Sequence, residues 1–280
     1  MNKWNLIIDI DKCHNCANCF IAAKDEYVGN EFSGYSAPQP LHGHAWIRID
    51  EYERGTYPAV QTSFVPKMCN HCDDAPCKKV GGDAVQKRAD GIVLIDPVKA
   101  KGREDIAKSC PYGAIFWNDE LQIPQHWTFD AHLLDQGWKE PRCAQVCPTG
   151  AITALKTTDQ DMETRAAAED LRPINRNLQT KPRVYYKNLD SIEKCFIAGR
   201  VIHQKNNVSE CFENADITLK NKEGEVVSST QSDVYGDFRF DGLDPESGEY
   251  EIIIDAKSSG VKSVKTVLGE SLHLGTISLD

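Results

Sequence analysis

The apolar positions of the chain follow two different patterns, one in each half. In the N-terminal part they form short runs, WNLIIDI at 4–10 and GIVLIDP at 91–97, which predict brief strands ending in loops. Residues 31–66 are rich in Gly, Pro, Tyr and Trp without a sustained helical period, so we expect mainly loops there. Residues 1–155 are therefore predicted to form an α+β domain with loop insertions and much irregular structure.

The C-terminal part alternates apolar and polar residues. Between residues 195 and 280, seven such runs separated by turns predict an antiparallel β-sandwich or barrel. Residues 156–194 contain a predicted helix, from Thr158 to Leu171, followed by a polar stretch. We interpret them as a helical and extended linker strap between the two domains. The predicted strands are IAGRVI, DITLKN, EVVSSTQS, DFRFDGL, EYEIIIDA, VKSVKTV and LHLGTISL.

Charge and hydropathy narrow the function classes. A formal net charge of −10 over 280 residues argues against binding to nucleic acid or to an anionic lipid surface. The sequence contains no run of apolar residues long enough to span a membrane, and it opens without a secretion signal. We therefore expect a cytoplasmic protein with reduced thiols and protein partners.

Eleven cysteines supply the candidate chemistry, and nine of them lie between residues 13 and 147. CHNCANC at 13–19 has the C-x2-C-x2-C spacing, and CNHCDDAPC at 69–77 is a variant with a wider second gap. A [4Fe–4S] cluster needs four thiolates, of which such a loop supplies three and a distant Cys-Pro the fourth. Two clusters are therefore predicted. Their expected ligands are Cys13, Cys16, Cys19, Cys69, Cys72, Cys77, Cys110 and Cys147.

Several alternatives accompany this prediction. Zinc is the main one, because C-x2-C also occurs in zinc sites, but the third cysteine and the Cys-Pro-x-Gly-Ala motifs favour clusters. His14 and His71 lie within the two loops, and we expect them to face solvent or support the ligands without binding iron. Cys195 and Cys211 are expected to be free thiols in a reducing compartment.

These motifs resemble the four-motif, ferredoxin-like subunits that accompany molybdopterin enzymes of the dimethyl sulfoxide reductase family. The resemblance covers roughly residues 4–150. It implies crosswise pairing, in which Cys147 completes the first loop and Cys110 completes the second.

The same resemblance implies two further clusters, whose ligands are mostly missing. Only Cys143 remains of their eight cysteines, and we expect it to be a buried free thiol. A third cluster that uses Asp130 or His126 beside Cys143 is the open alternative. The remaining positions hold Gly81, Ala100, Arg103 and Ile106 in one site, and Ala23, Trp127 and Asp130 in the other.

A closer resemblance covers nearly the whole chain. ERGTYP, AHLLDQGW, TKPRVYYKNL and the β-rich tail are similar to the small subunits of pyrogallol–phloroglucinol transhydroxylases. This implies a heterodimer whose large subunit carries molybdenum on two molybdopterin guanine dinucleotides, and no catalytic residue in this chain. The expected function is the iron–sulfur subunit of a trihydroxybenzene hydroxytransferase. The alternatives are an electron-transfer subunit of a related molybdenum reductase, such as a catechol dehydroxylase, and a scaffolding subunit.

Two other segments carry expectations. The tail resembles Cna-B or prealbumin-like β-sandwiches through AGRVI, FENADITLKN and SDVYGDFRFDGL. An aromatic segment is expected to pack over clusters or at a subunit interface, although it could be mistaken for a phenol pocket. It consists of His42, His44, Trp46, Tyr52 and Tyr57.

Overall fold

The computed structural model describes residues 1–205, 208–257 and 260–279. The chain divides into two compact units. The first contains residues 1–51 and 63–189, and the second contains residues 52–62 and 190–280. The first unit is α+β, as predicted, and the second is mostly β.

A three-stranded sheet of order β8-β1-β9 organises the first unit. Strand β1 (Lys3–Asp9) is buried on both faces; it pairs antiparallel with β8 (Ile152–Thr157) and parallel with β9 (Val184–Lys187). The predicted boundary at residue 155 thus falls within β8, and the predicted strap contributes β9 to this sheet. Its helix α6 (Asp159–Glu169) begins where Thr158 Oγ1 accepts the Asp161 amide N–H at 3.1 Å.

The other elements up to residue 189 are connected by loops. Three two-stranded sheets are formed by β2 (Ile47–Thr56) with β3 (Ala59–Met68), β4 (Val85–Lys87) with β5 (Val93–Ile95), and β6 (Phe116–Asn118) with β7 (Ile123–Gln125). The helices are α1 (Asn18–Tyr27), α2 (Pro76–Gly81), α3 (Glu104–Lys108), α4 (Ala131–Asp135) and α5 (Arg142–Gln145). Short 3-10 turns occur at Ile10–Lys12, Gly82–Ala84 and Arg176–Leu178.

The expectation of loops over residues 31–66 was wrong for β2 and β3. Strand β2 is rich in charged residues and only its first residue is buried, so it lacks the apolar alternation by which a strand is recognised in a sequence. The tip of this hairpin, residues 52–62, belongs to the second unit.

The second unit contains two four-stranded sheets. One has the order β11-β10-β14, with β17 also paired to β10, and the other has the order β13-β12-β15-β16. Buried residues from both sheets form a single core, including Ile197, Phe238, Leu219 and Ile252. A short helix, α7 (Asp190–Glu193), precedes β10 (Cys195–Lys205), β11 (Val208–Cys211), β12 (Asp216–Asn221), β13 (Val226–Gln231), β14 (Asp237–Leu243), β15 (Gly248–Asp255), β16 (Val261–Leu268) and β17 (Leu272–Ser278).

The prediction of seven antiparallel strands, as a sandwich or a barrel, needs three corrections. Among the described residues this unit has eight strands, because β11 is an exposed strand without apolar alternation. Strands β10 and β17 are parallel. The two sheets are separate, so the unit is not a closed barrel.

Candidate iron–sulfur site

Four predicted ligands converge at one end of the β1–β8 ladder. The loop after β1 carries three thiols, and the turn before β8 carries the fourth, so the antiparallel pairing of the strands brings both segments together. The Asp9 amide N–H donates to the Ala151 carbonyl at 2.8 Å, and Asn15 and Ala17 adopt left-handed φ values of 54° and 60°, which turn the loop back on itself. We call Cys13, Cys16, Cys19 and Cys147 the first thiol set.

Electrostatic interactions indicate that these thiols are close together. Burial raises the pKa of Cys19 to about 12, and the charges of Cys13, Cys16 and Cys147 add to the increase. Burial also raises the pKa of Cys13. The backbone N–H of Asn15 donates to the Cys13 thiol and opposes that increase. Cys16 is exposed, so one side of this set is open to solvent.

The other four predicted ligands form a second thiol set, Cys69, Cys72, Cys77 and Cys110. Cys69 follows β3, Cys77 lies in α2, and Cys110 follows α3. Burial, reinforced by the charges of Cys110 and Cys72, raises the pKa of Cys77 to about 12. Burial also raises the pKa of Cys69, and the charges of Cys110, Cys77 and Cys72 add to the increase. Since iron binds thiolates, cluster assembly has to displace protons that these buried thiols hold firmly.

Both sets have the donor chemistry of an iron–sulfur cluster. Among the described residues, no three His, Cys, Asp or Glu side chains meet closely enough for one metal ion. The four thiolates of a cubane bind four different iron atoms, so they surround a cluster and do not meet at one point.

One group of positions where the family resemblance implies a further cluster lies in a buried hydrogen-bonded network. The carboxylate Oδ1 of Asp130 accepts the Tyr27 hydroxyl at 2.7 Å and the Trp127 indole N–H at 3.0 Å, and its Oδ2 accepts the Arg142 backbone N–H at 2.7 Å. All three side chains of Tyr27, Trp127 and Asp130 are at most 2% exposed. Burial raises the pKa of Asp130, and the three donors oppose that increase. Tyr27, Trp127 and Asp130 are called the Asp130 network below.

This network has neighbours near both thiol sets. The ring centroid of Trp127 is 5.6 Å from that of His71, which is part of the second cysteine loop. Beside the network, Cys143 is 1% exposed and interacts electrostatically with Asp130, Cys19 and Cys147 of the first set. That Cys143 is a free thiol stays a prediction.

Two residues of the other group of positions, Ala100 and Ile106, lie in an apolar core. Ala100 and Ile106 are fully buried with Val85. A Cβ atom added to Gly81 would lie 2.3 Å from Val85 Cγ2. A cysteine there would therefore collide with the core.

The histidines of the two cysteine loops differ in their exposure to solvent. His14 is exposed, whereas His71 is 1% exposed and its Nδ1 accepts the Val93 backbone N–H at 3.1 Å. His126 is also buried, and its Nδ1–H donates to the Trp127 carbonyl at 2.6 Å.

The aromatic segment is divided between the two units. Trp46 is buried in the first unit, where its ring centroid is 4.9 Å from that of Tyr27, and His44 Nε2 bonds the Trp117 carbonyl at 3.0 Å. Tyr57 belongs to the second unit and is 92% exposed. In that unit Cys195 and Cys211 are free thiols.

Sequence patterns missed a group of charged residues beside the second thiol set. Lys87 Nζ donates to the backbone carbonyls of His71 and Cys72, at 2.7 and 3.0 Å. Arg183, which is 4% exposed, donates to Asp73 at 2.6 Å. No local signal reveals these residues, because each acts on a segment distant in the sequence.

Comparison with known proteins indicates the class of this chain. The family profile described as "4Fe-4S dicluster domain" matches residues 60–157, which places the chain among the iron–sulfur proteins. The small subunit of pyrogallol hydroxytransferase from Pelobacter acidigallici is 42% identical over 282 aligned positions, covering 100% of both chains. The chain belongs to the family of pyrogallol hydroxytransferase small subunits.

Other similarities are more distant. One subunit of the tetrathionate reductase from Salmonella typhimurium is 30% identical, over 71% of this chain and 78% of that protein. The 5-hydroxyisourate hydrolase of Klebsiella pneumoniae aligns with 31% of this chain and 91% of its own, at 16% identity and a TM-score of 0.26, too low to support a conclusion. In the part of the chain that the structure describes, no helix is long and apolar enough to cross a membrane.

Proposed function

We propose that this chain is the iron–sulfur subunit of a heterodimeric molybdenum enzyme that transfers a hydroxyl group between trihydroxybenzenes. It holds one [4Fe–4S] cluster on the first thiol set and one on the second. Each cluster, when bound, exchanges one electron at a time. The chain itself supplies the thiolates, the amide donors and the enclosure, and it supplies no catalytic residue.

The partner in this proposal is a large catalytic subunit with molybdenum on two molybdopterin guanine dinucleotides. The full-length similarity to the pyrogallol hydroxytransferase small subunit supports it. A cytoplasmic location and a Cna-B or prealbumin-like β unit are part of the same proposal. Co-purification of the two subunits from the soluble fraction tests the first two points.

The Asp130 network is the observation that carries the choice of reaction. The family resemblance implies four clusters in a line. The Asp130 network contains two of the positions that lack the cysteines of a further cluster, and it lies beside residues near both thiol sets, which supports an interruption of that line. An interrupted line suits a reaction without net electron demand. Hydroxyl transfer from a tetrahydroxybenzene cosubstrate to a trihydroxybenzene is redox-neutral overall, so no external donor is needed.

The test is an activity assay of the purified heterodimer. We expect turnover of pyrogallol with a tetrahydroxybenzene cosubstrate and no added reductant, together with about eight iron atoms per chain from two four-iron clusters. About twelve iron atoms would contradict the two-cluster assignment.

Similarity to respiratory reductase subunits favours a second candidate, an electron-transfer subunit of a molybdenum reductase that dehydroxylates catechols. This function requires reducing equivalents to pass through the chain. Turnover that begins only when a low-potential donor is supplied would establish the second function and overturn the first.

A further inference from the structure

The β4–β5 hairpin holds the second cysteine loop at two points. From β4, Lys87 Nζ donates to the carbonyls of His71 and Cys72, and also to that of Gly91 at 2.7 Å. From β5, the backbone N–H of Val93 donates to His71 Nδ1 at 3.1 Å. Both contacts reach the segment between the first two thiols of the set.

Lys87 acts in its charged form. Its Nζ also lies 2.8 Å from Asp73 Oδ1, so four acceptors surround one nitrogen. A neutral amine has two N–H groups and a lone pair, whereas an ammonium has three N–H groups and no lone pair. An environment made only of acceptors therefore suits the ammonium. Burial lowers the pKa of Lys87, and the Asp73 carboxylate opposes that change.

The charge of Lys87 acts directly on the thiolates. It interacts electrostatically with Cys69 and Cys72. Asp73 partly balances it, but Asp73 also accepts from Lys3 at 3.2 Å and from Arg183 at 2.6 Å. Lys3 and Arg183 also pair with Asp159, at 2.7 and 2.8 Å, so Lys87 belongs to a partly buried network of three cations and two carboxylates.

We propose that Lys87 is a positioning residue of the second cysteine loop and that its charge raises the reduction potential of the cluster on Cys69, Cys72, Cys77 and Cys110. This rests on the proposed function, which assigns that cluster. One-electron reduction makes a thiolate-ligated cluster more negative, so a nearby cation stabilises the reduced form. Asp73 acts in the opposite direction.

The experiment is a redox titration of the purified heterodimer, in which dithionite supplies the electron and paramagnetic resonance detects each reduced cluster. Lys87→Met should shift the potential of the second cluster to more negative values and leave the first unchanged. Asp73→Asn should shift the second cluster to more positive values. Lys87→Arg should stay near the wild-type potential, since it keeps the charge.

Lys99→Met is the matched control, because Lys99 is exposed and pairs loosely with Asp83 at 3.9 Å. It should not change either potential. The proposal is overturned if Lys87→Met leaves the second potential unchanged with the cluster intact, or if Lys87→Met and Asp73→Asn shift it in the same direction. If Lys87→Met does not assemble, the sign of the Asp73→Asn shift decides.

Failure of the proposed function gives a different result. Wild-type protein with about four iron atoms per chain would lack one of the clusters, and the assignment would then be wrong before any variant is compared.

Discussion

In the first thiol set Cys16 is exposed, whereas Cys69, Cys72 and Cys77 of the second set are at most 8% exposed. The surrounding charges differ as well. Burial, an amide and two neighbouring thiols shift the pKa of Cys13, whereas the Lys87 ammonium also acts on Cys72. The same thiol chemistry thus occurs once in a set with an exposed member and once in a more enclosed set beside the Lys87 ammonium.

The two groups of positions where the family resemblance implies further clusters also differ from each other in their surroundings. One contains a buried carboxylate with three protein donors, and the other contains an apolar core around Ile106. The two groups of positions are therefore stabilised by different interactions, and they should respond differently to substitution.

The largest effect is expected from removing one thiol of each set. Cys77→Ser and Cys16→Ser should each reduce the iron content from about eight to about four atoms per chain. Cys77 also packs in an apolar core, so its serine variant should lose roughly 1–3 kcal/mol of stability for a buried hydroxyl without a partner. Iron analysis with thermal unfolding measures both changes. If Cys77→Ser and Cys16→Ser were equally stable, the proposed difference in burial between the two thiol sets would be contradicted.

Iron release should also distinguish the sets. In the chain expressed alone, a chelator with a mild oxidant should remove about four iron atoms quickly and the rest slowly, because the first set is open to solvent. Cys16→Ser should abolish the fast phase. A single phase in wild-type protein would contradict the difference, whereas protection in the heterodimer would mean that the partner covers the first set.

The Asp130 network provides the next test. Asp130→Ala should lower the free energy of unfolding by about 3 kcal/mol, since buried donors lose a charged acceptor. The iron content should not change, because Asp130 holds no cluster in our proposal. The exposed Asp119→Ala serves as the control, and loss of about four iron atoms from Asp130→Ala would restore the third-cluster alternative.

The smallest effect on stability is expected in the apolar core beside Gly81. Gly81→Ala places a Cβ atom 2.3 Å from Val85 Cγ2, and the overpacking should cost about 1–2 kcal/mol. Gly269→Ala is the control, because nothing lies within 4 Å of its added Cβ. Thermal unfolding compares the two. A neutral Gly81→Ala would mean that this core has room to adjust.

The sequence by itself determined the features that depend on neighbouring residues. Cysteine spacing predicted the two three-thiol loops, because three ligands of a cluster can come from one short segment. Apolar runs predicted β1 and β5, and most strands of the second unit alternate clearly enough to be recognised. The crosswise pairing came from the family resemblance, and β1–β8 pairing brings the first thiol set together.

The tertiary structure alone decided the features that join distant segments. Arg183 reaches Asp73 across 110 residues, and Tyr27 reaches Asp130 across 103. The parallel pairing of β10 with β17 likewise joins the two ends of the second unit. Local patterns encode the periodicity of a single element, whereas contacts at such separations depend on how the elements pack. For this reason the sequence identified the thiols, but their burial, their surrounding charges and the groups that fill the missing sites required the fold.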